Sequence, residues 1–224
     1  AGCPLLGGDT TRTAKVGDIH APVTISITAM GELPQSMGLT RSGARPGDDI
    51  WVSGCVGGAW AALMHRWGKL TLDARVFPAA ALAMDRPNPR NALGAALLSS
   101  ATACADISDG LAQDLGHILE RSGVDADVLW DAVPKHPALA ALSQEQQVEA
   151  AMSGGDDYEL VFTAPADKRG LIEQASISAL TPVTRIGRIV EKKPSGAPLA
   201  IRDASGRPLF LPVQGFDHFA QSAD

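Results

Sequence analysis

The stretch Asp106-Ile107-Ser108-Asp109-Gly110 sets two carboxylates and a hydroxyl within four residues, after a run of small apolar residues and ahead of a helix-like pattern. If the chain is extended as far as Ser108, Asp106 and Ser108 project to the same side, because side chains alternate along a strand. Ser108 then serves as N-cap and Asp109 begins the helix, where backbone N–H groups point outward. Capping requires one such residue, and here there are three. The surplus suits a phosphate carried on a hard cation: carboxylates hold the ion while N–H groups meet phosphate oxygens. Asp114 and His117, three apart further along, read as a solvated face.

Three more polar clusters stand out. Gly7-Gly8-Asp9-Thr10-Thr11-Arg12 combines glycines that admit close backbone approach, an acid fit for a metal and an arginine fit for phosphate. Taken alone it also reads as an ordinary Gly-Gly-Asp turn. The segment 40–49, TRSGARPGDD, is a basic turn leading into a strand, with Arg41 or Arg45 long enough to reach a phosphate. In Ser153-Gly154-Gly155-Asp156-Asp157-Tyr158-Glu159, three acids fall within four residues. A bound cation or cationic ligand would relieve their repulsion, and a solvated surface turn is the alternative. GxxxxGK[ST], GxGxxG, HExxH and GxSxG are all absent from the sequence. Nucleotide chemistry here would therefore run through carboxylate-held metals and glycine turns.

The elements that position these clusters alternate between strand and helix. Residues 22–31 alternate apolar and polar with β-branched side chains, the pattern of a strand. Short strands are expected at 50–54 and 103–107, with helices over 57–68 and 89–100. Leu111, Leu115, Ile118 and Leu119 form one apolar face of a helix over 109–121. An alternating run at 125–133, a helix over 136–152, a strand at 158–164 and a helix near 167–177 follow. Strand-like runs at 183–190, 199–203 and 208–213 close the chain. The expected class is α+β, with a mixed or antiparallel sheet.

The 224 residues are 45% hydrophobic and 20% charged, ordinary for a globular protein. A net charge of −6 without a visible basic patch argues against nucleic acid as a partner. No apolar run has the length of a membrane span, and no signal-peptide pattern opens the sequence. Three cysteines about 50 residues apart exclude a CxxC zinc pattern and suit reduced thiols, hence a cytoplasmic setting.

GGDTTR (7–12), TRSGARPGDDIWVSG (40–54), ADISDGLAQDLGHIL (105–119), SGGDDYELVFT (153–163) and GFDHF (215–219) resemble, in order and spacing, the successive motifs of the bacterial thiamine-monophosphate kinase family. That family lies within the aminoimidazole ribonucleotide synthetase-like superfamily, whose other members fit less well at DISDGL and GGDDYEL. The resemblance implies transfer of the ATP γ-phosphoryl group to thiamine monophosphate, giving thiamine diphosphate and ADP. It implies ATP contacts from Gly8, Asp9, Arg41 and Ser108, and magnesium ions on Asp9, Asp106 and Asp109. It assigns Asp156 and Phe216 to thiamine monophosphate, Phe216 by stacking on its cationic rings. No catalytic base is implied, because a phosphate monoester with a second pKa of about 6 is already largely ionised.

Three departures accompany the resemblance. Asp156 stands where the family has Glu. Residues 13–22 fill what is usually a brief connection, expected here as a surface loop. The family carries about a hundred further residues before GGDTT, comparable to a small domain. The resemblance thus implies that residues 1–40 are the remnant of an ATP-binding N-terminal domain, that 41–224 form a C-terminal α+β domain, and that the full-length protein is a homodimer. On that basis the 224 residues alone are expected to be inactive. A non-catalytic domain binding a phosphorylated ligand or a partner, or another ATP-using member of the superfamily, remains an alternative.

Overall fold

The computed structural model describes residues 3–12, 15–17, 19, 20, 23–33 and 38–209. The chain divides into two units, Ala1–Gly38 and Leu39–Asp224. In the first, β1 (Lys15–Val16) pairs antiparallel with β2 (Ile19–His20), within the segment expected as a loop. Residues 23–33 carry no strand, contrary to the alternation at 22–31. Val23, Ile25, Ile27 and Met30 stand exposed. An alternating sequence becomes a strand only with a ladder partner, and the described residues of this unit supply none.

The second unit is built on a six-stranded sheet. Its strands are β3 (Asp49–Ser53), β4 (Ala103–Asp106), β5 (Asp125–Leu129), β6 (Leu160–Ala164), β7 (Val183–Val190) and β8 (Leu199–Arg202). The spatial order is β4-β6-β3-β7-β5-β8, antiparallel throughout except for the parallel β5–β8 edge. The helices are α1 (Gly58–Arg66), α2 (Phe77–Asp85), α3 (Asn91–Leu97), α4 (Leu111–Ser122), α5 (Gln144–Val148) and α6 (Arg169–Ser178).

Every residue of β3 is buried, and its alternation feeds two cores. Ile50 and Val52 join the larger cluster with Leu111, Leu115, Ile118 and Leu119 of α4. Trp51 points the other way, stacks on Phe162 of β6 and packs with Leu93 and Leu97 of α3 and Ile172 of α6. Along β7 the register slips, with Ile50 opposite Gly187 and Trp51 opposite Arg185. The extra residue lets Ile186 and Ile189, three apart, both face inward.

Several boundaries differ from the sequence pattern for identifiable reasons. The run at 125–133 is β5 followed by a 3₁₀ turn at Trp130–Ala132. The helix expected over 136–152 is a 3₁₀ turn, α5 and a π turn at Glu149–Ser153. Ser143 and Gln146 form a capping box that starts α5 afresh. Helix α2 was not expected, because FPAAALAMD lacks a polar face of helical period. From the run at 208–213, Pro208 bridges Arg202, and residues beyond 209 lie outside those described.

Candidate functional site

The β4–β6 ladder runs Asp106 opposite Leu160 and continues past the strand ends. Ile107 N–H donates to the Glu159 carbonyl, Tyr158 N–H to that of Ile107 and Asp156 N–H to that of Ser108, all at 2.8–2.9 Å. Two acidic turns, 106–110 and 154–159, are thereby laid side by side. Glycine is required for this closeness. A Cβ on Gly155 would lie 2.3 Å from the Ser108 carbonyl oxygen, and one on Gly110 (φ +113) 2.8 Å from that of Met152.

Within the first turn, Ile107 is fully buried while Asp106 is exposed and Ser108 half-buried, consistent with Asp106 and Ser108 sharing a side. The helix starts later than the sequence pattern suggests. Helix α4 begins at Leu111 with Gly110 as its N-cap and without a side-chain cap, so Ser108 is not the cap. Asp114 is not a solvated residue. It is buried, and its Oδ2 accepts the N–H groups of Ser108 (2.9 Å) and Asp109 (3.0 Å). Burial pushes its carboxyl up, with the nearby charges of Asp109 and Asp106 adding to the shift and the two N–H bonds opposing it. The N–H groups of Ser108 and Asp109 are therefore committed to Asp114 rather than turned toward a phosphate.

The second turn separates its three acids by partner. Glu159 is buried and paired with Arg90, whose Nη2 meets Oε1 and whose Nε donates to Oε2 at 2.6 Å. Ser53 Oγ donates to the same Oε2 at 2.5 Å. Asp157 accepts N–H groups at the start of α1, from Gly57 at 2.7 Å and Ala59 at 3.5 Å. Burial, with the charge of Glu159 in support, pushes its carboxyl up to about 7 against the pull of those bonds. Asp156 alone is exposed and accepts the Tyr158 hydroxyl at 3.1 Å. Burial raises the Tyr158 phenol, and the charges of Asp156, Asp106 and Asp109 raise it further, which keeps it a donor. Two of the three charges thus need no ligand, and the third faces a cavity.

That cavity, about 460 Å³, lies between the two turns and α1. Ser108, Asp109, Gly155, Asp156 and Tyr158 form its polar side, with Glu149 at one edge. Trp60, Leu63, Met64 and Trp67 form an apolar wall. These wall residues, Tyr158 and Arg90 were missed from sequence. The spacing of Trp60, Leu63, Met64 and Trp67 does mark one helical face, but the same stripe describes any core-facing helix.

Ser108, Asp109 and Asp156 are brought together, with Asp106 beside them at the strand end. Arg41 is not near them. Its carbonyl accepts Ser122 Oγ at 3.4 Å, and Ser122 ends α4 while the acidic turn begins it, about 18 Å along a twelve-residue helix. Gly8 and Asp9 belong to the other unit, where exposed Asp9 accepts the Thr10 N–H at 2.8 Å. Phe216 lies outside the described residues. Among the described residues, no group of three or more His, Cys, Asp or Glu converges as a metal site. Asp106 and Asp109 supply two carboxylates, a set that fits magnesium when phosphate oxygens and water complete the shell. No described helix is long and apolar enough to cross a membrane.

A family model for the C-terminal domain of AIR synthase related proteins matches residues 45–198. The thiamine-monophosphate kinase of Salmonella typhimurium is 38% identical over 221 residues, covering 96% of this chain and 63% of the relative. The chain therefore spans less than two thirds of that relative's length. The crystal structure of thiamine-monophosphate kinase from Stenotrophomonas maltophilia superposes with a TM-score of 0.69 at 40% identity, over 75% of this chain and 54% of that one. AaThiL complexed with AMPPCP and TMP superposes with a TM-score of 0.64 at 28% identity, over 81% of this chain and 54% of that one.

Proposed function

The chain belongs to the AIR synthase related proteins through their C-terminal domain, and on that premise we propose that it serves ATP-dependent phosphorylation of thiamine monophosphate to thiamine diphosphate. One observation carries the reading. A single cavity joins a turn bearing Ser108 and Asp109 to a wall of Trp60, Trp67 and Tyr158 with Asp156 among them. Aromatic faces together with a carboxylate suit a flat cationic ring, which is what the thiazolium of thiamine monophosphate offers. The adjoining turn suits the phosphate end.

In this reading Asp106 and Asp109 hold magnesium, which when bound neutralises phosphate charge. The Ser108 hydroxyl donates to an ATP phosphate oxygen. Asp156, and Phe216 by stacking, hold the acceptor ring. An acceptor phosphate oxygen forms the new P–O bond as the bond to the ADP oxygen breaks. No side chain need take a proton, so alignment and charge neutralisation carry the step. The ATP contacts of Gly8, Asp9 and Arg41 that the resemblance implies are proposed to form in a homodimer. The thiols of Cys55 and Cys104, pushed by burial up to about 11 and about 12, stay protonated and unpaired, in keeping with a cytoplasmic setting.

The test incubates the encoded protein with ATP, magnesium and thiamine monophosphate and follows thiamine diphosphate by chromatography. Product is expected with the wild type, and Asp156→Ala should lose acceptor affinity. ATP-dependent turnover of a different phosphorylated acceptor, with none of thiamine monophosphate, would replace the substrate assignment.

A further inference from the structure

Asp157 belongs to no part of that proposed chemistry, yet its position is unusual. Its neighbours Asp156 and Tyr158 face the cavity and both adopt left-handed backbone conformations, φ +66° and +49°, which side chains other than glycine seldom take. Their N–H groups are fastened to the carbonyls of Ser108 and Ile107. Between them Asp157 turns the opposite way and reaches the first turn of α1, a hundred residues distant in sequence. Gly57, the N-cap of α1, has no side chain to offer, so the free N–H groups of that helix are met by Asp157 instead. Helix α1 carries Trp60, Leu63 and Met64 and is capped by Trp67, and together these form the apolar wall of the cavity.

We propose that Asp157 is a positioning residue of the acceptor pocket: its carboxyl group fastens the start of α1 to the acidic loop, setting the aromatic wall at a defined distance from Asp156 and Tyr158. The inference rests on the acceptor reading given above for what the pocket holds, but the clamp itself is a property of the unliganded protein. Two ties meet at this point. The ladder hydrogen bonds tie the loop to β4, the Asp157 carboxyl ties it to α1, and the left-handed residues between them persist only while both ties hold. Cutting the Asp157 tie frees the loop to relax and α1 to fray at its first turn, so both walls shift together.

The test compares wild type, Asp157→Ala and Asp157→Asn in the encoded protein. Amide hydrogen exchange is read at residues 57–59, whose N–H groups meet Asp157, and within 156–158 at the hydrogen-bonded N–H groups of Asp156 and Tyr158. In Asp157→Ala, both segments are expected to exchange faster together, and Asp157→Asn, which keeps an acceptor oxygen for Gly57, should restore much of the protection. Kinetically, Asp157→Ala should lower kcat/KM for thiamine monophosphate by about tenfold to a hundredfold, mainly through KM, with KM for ATP nearly unchanged. Faster exchange at 57–59 alone, with 156–158 still protected, would reduce Asp157 to a helix cap and overturn the clamp. So would equal losses for ATP and for the acceptor. A wild-type protein that makes no thiamine diphosphate would sink the acceptor reading, while the exchange comparison would still decide whether the clamp exists.

Discussion

The two acidic turns that lie side by side at the cavity are held in shape by opposite means. In 106–110 the stabilising group is Asp114, five and six residues from the N–H groups it accepts and delivered by the first turn of the same helix. In 154–159 the partners are Ser53, Gly57 and Arg90, between 69 and 106 residues away. The first turn therefore holds its shape from local chain geometry, whereas the second exists only once β3, α1 and α3 have assembled around it. The exposed acids left over are Asp106 on one side and Asp156 on the other, the latter held by no bond described except that from the Tyr158 hydroxyl. A carboxylate's availability for a ligand follows from what its neighbours have already claimed.

The largest effect that would test this contrast is at the remote partner. Arg90→Ala leaves Glu159 buried without its cationic partner, with the Ser53 hydroxyl still donating to it, and stability should fall by about 3–5 kcal/mol in urea denaturation. A loss of about 0–1 kcal/mol would place the pair with ordinary surface ion pairs and erase the difference between the turns.

The next effect is one of pH. The Asp157 carboxyl is raised from 3.8 to about 7 in the folded protein. A raised acid binds its proton more tightly when folded, so its contribution to stability is fully present below about 3.8 and lost as pH rises through about 7. Asp157→Asn removes that dependence. The stability difference between wild type and variant should therefore move in the variant's favour from pH 5 to pH 8, measured by denaturation at both. A difference that is flat with pH would mean that Asp157 is as solvated as Asp156. The Cys55 thiol, pushed by burial up to about 11, lies outside that window.

The smallest effect belongs to the local turn. Asp114→Ala orphans the N–H groups of Ser108 and Asp109, and about 1–3 kcal/mol should be lost. Asp106→Asn, at an exposed position, should stay within about 0.5 kcal/mol. Equal losses at the two positions would mean that Asp114 does not organise the turn.

Much of this was legible in the residues themselves. Ile50 and Val52 against Trp51, the Leu111–Leu115–Ile118–Leu119 face and the Asp-Ile-Ser-Asp-Gly turn are local patterns, because strand and helix periods act over a few residues. The same local reasoning assigned a strand to 22–31 that the described residues do not form, since a strand is completed by its neighbours. It also took Asp114 for a solvated acid, because the helix was started two residues too early with Ser108 as its cap, which hid the N–H groups of Ser108 and Asp109 as partners for Asp114. The pairings of Glu159 with Arg90 and of Asp157 with the start of α1 have no signature at any fixed spacing. They depend on how β3, β4 and β6 are ordered in the sheet, and that order arises from burying both faces of β3 at once. The sequence alone determined which residue types are at hand for phosphate and metal chemistry; only the tertiary structure decided which carboxylates remain uncommitted, because burial and hydrogen bonding between distant segments consume the others.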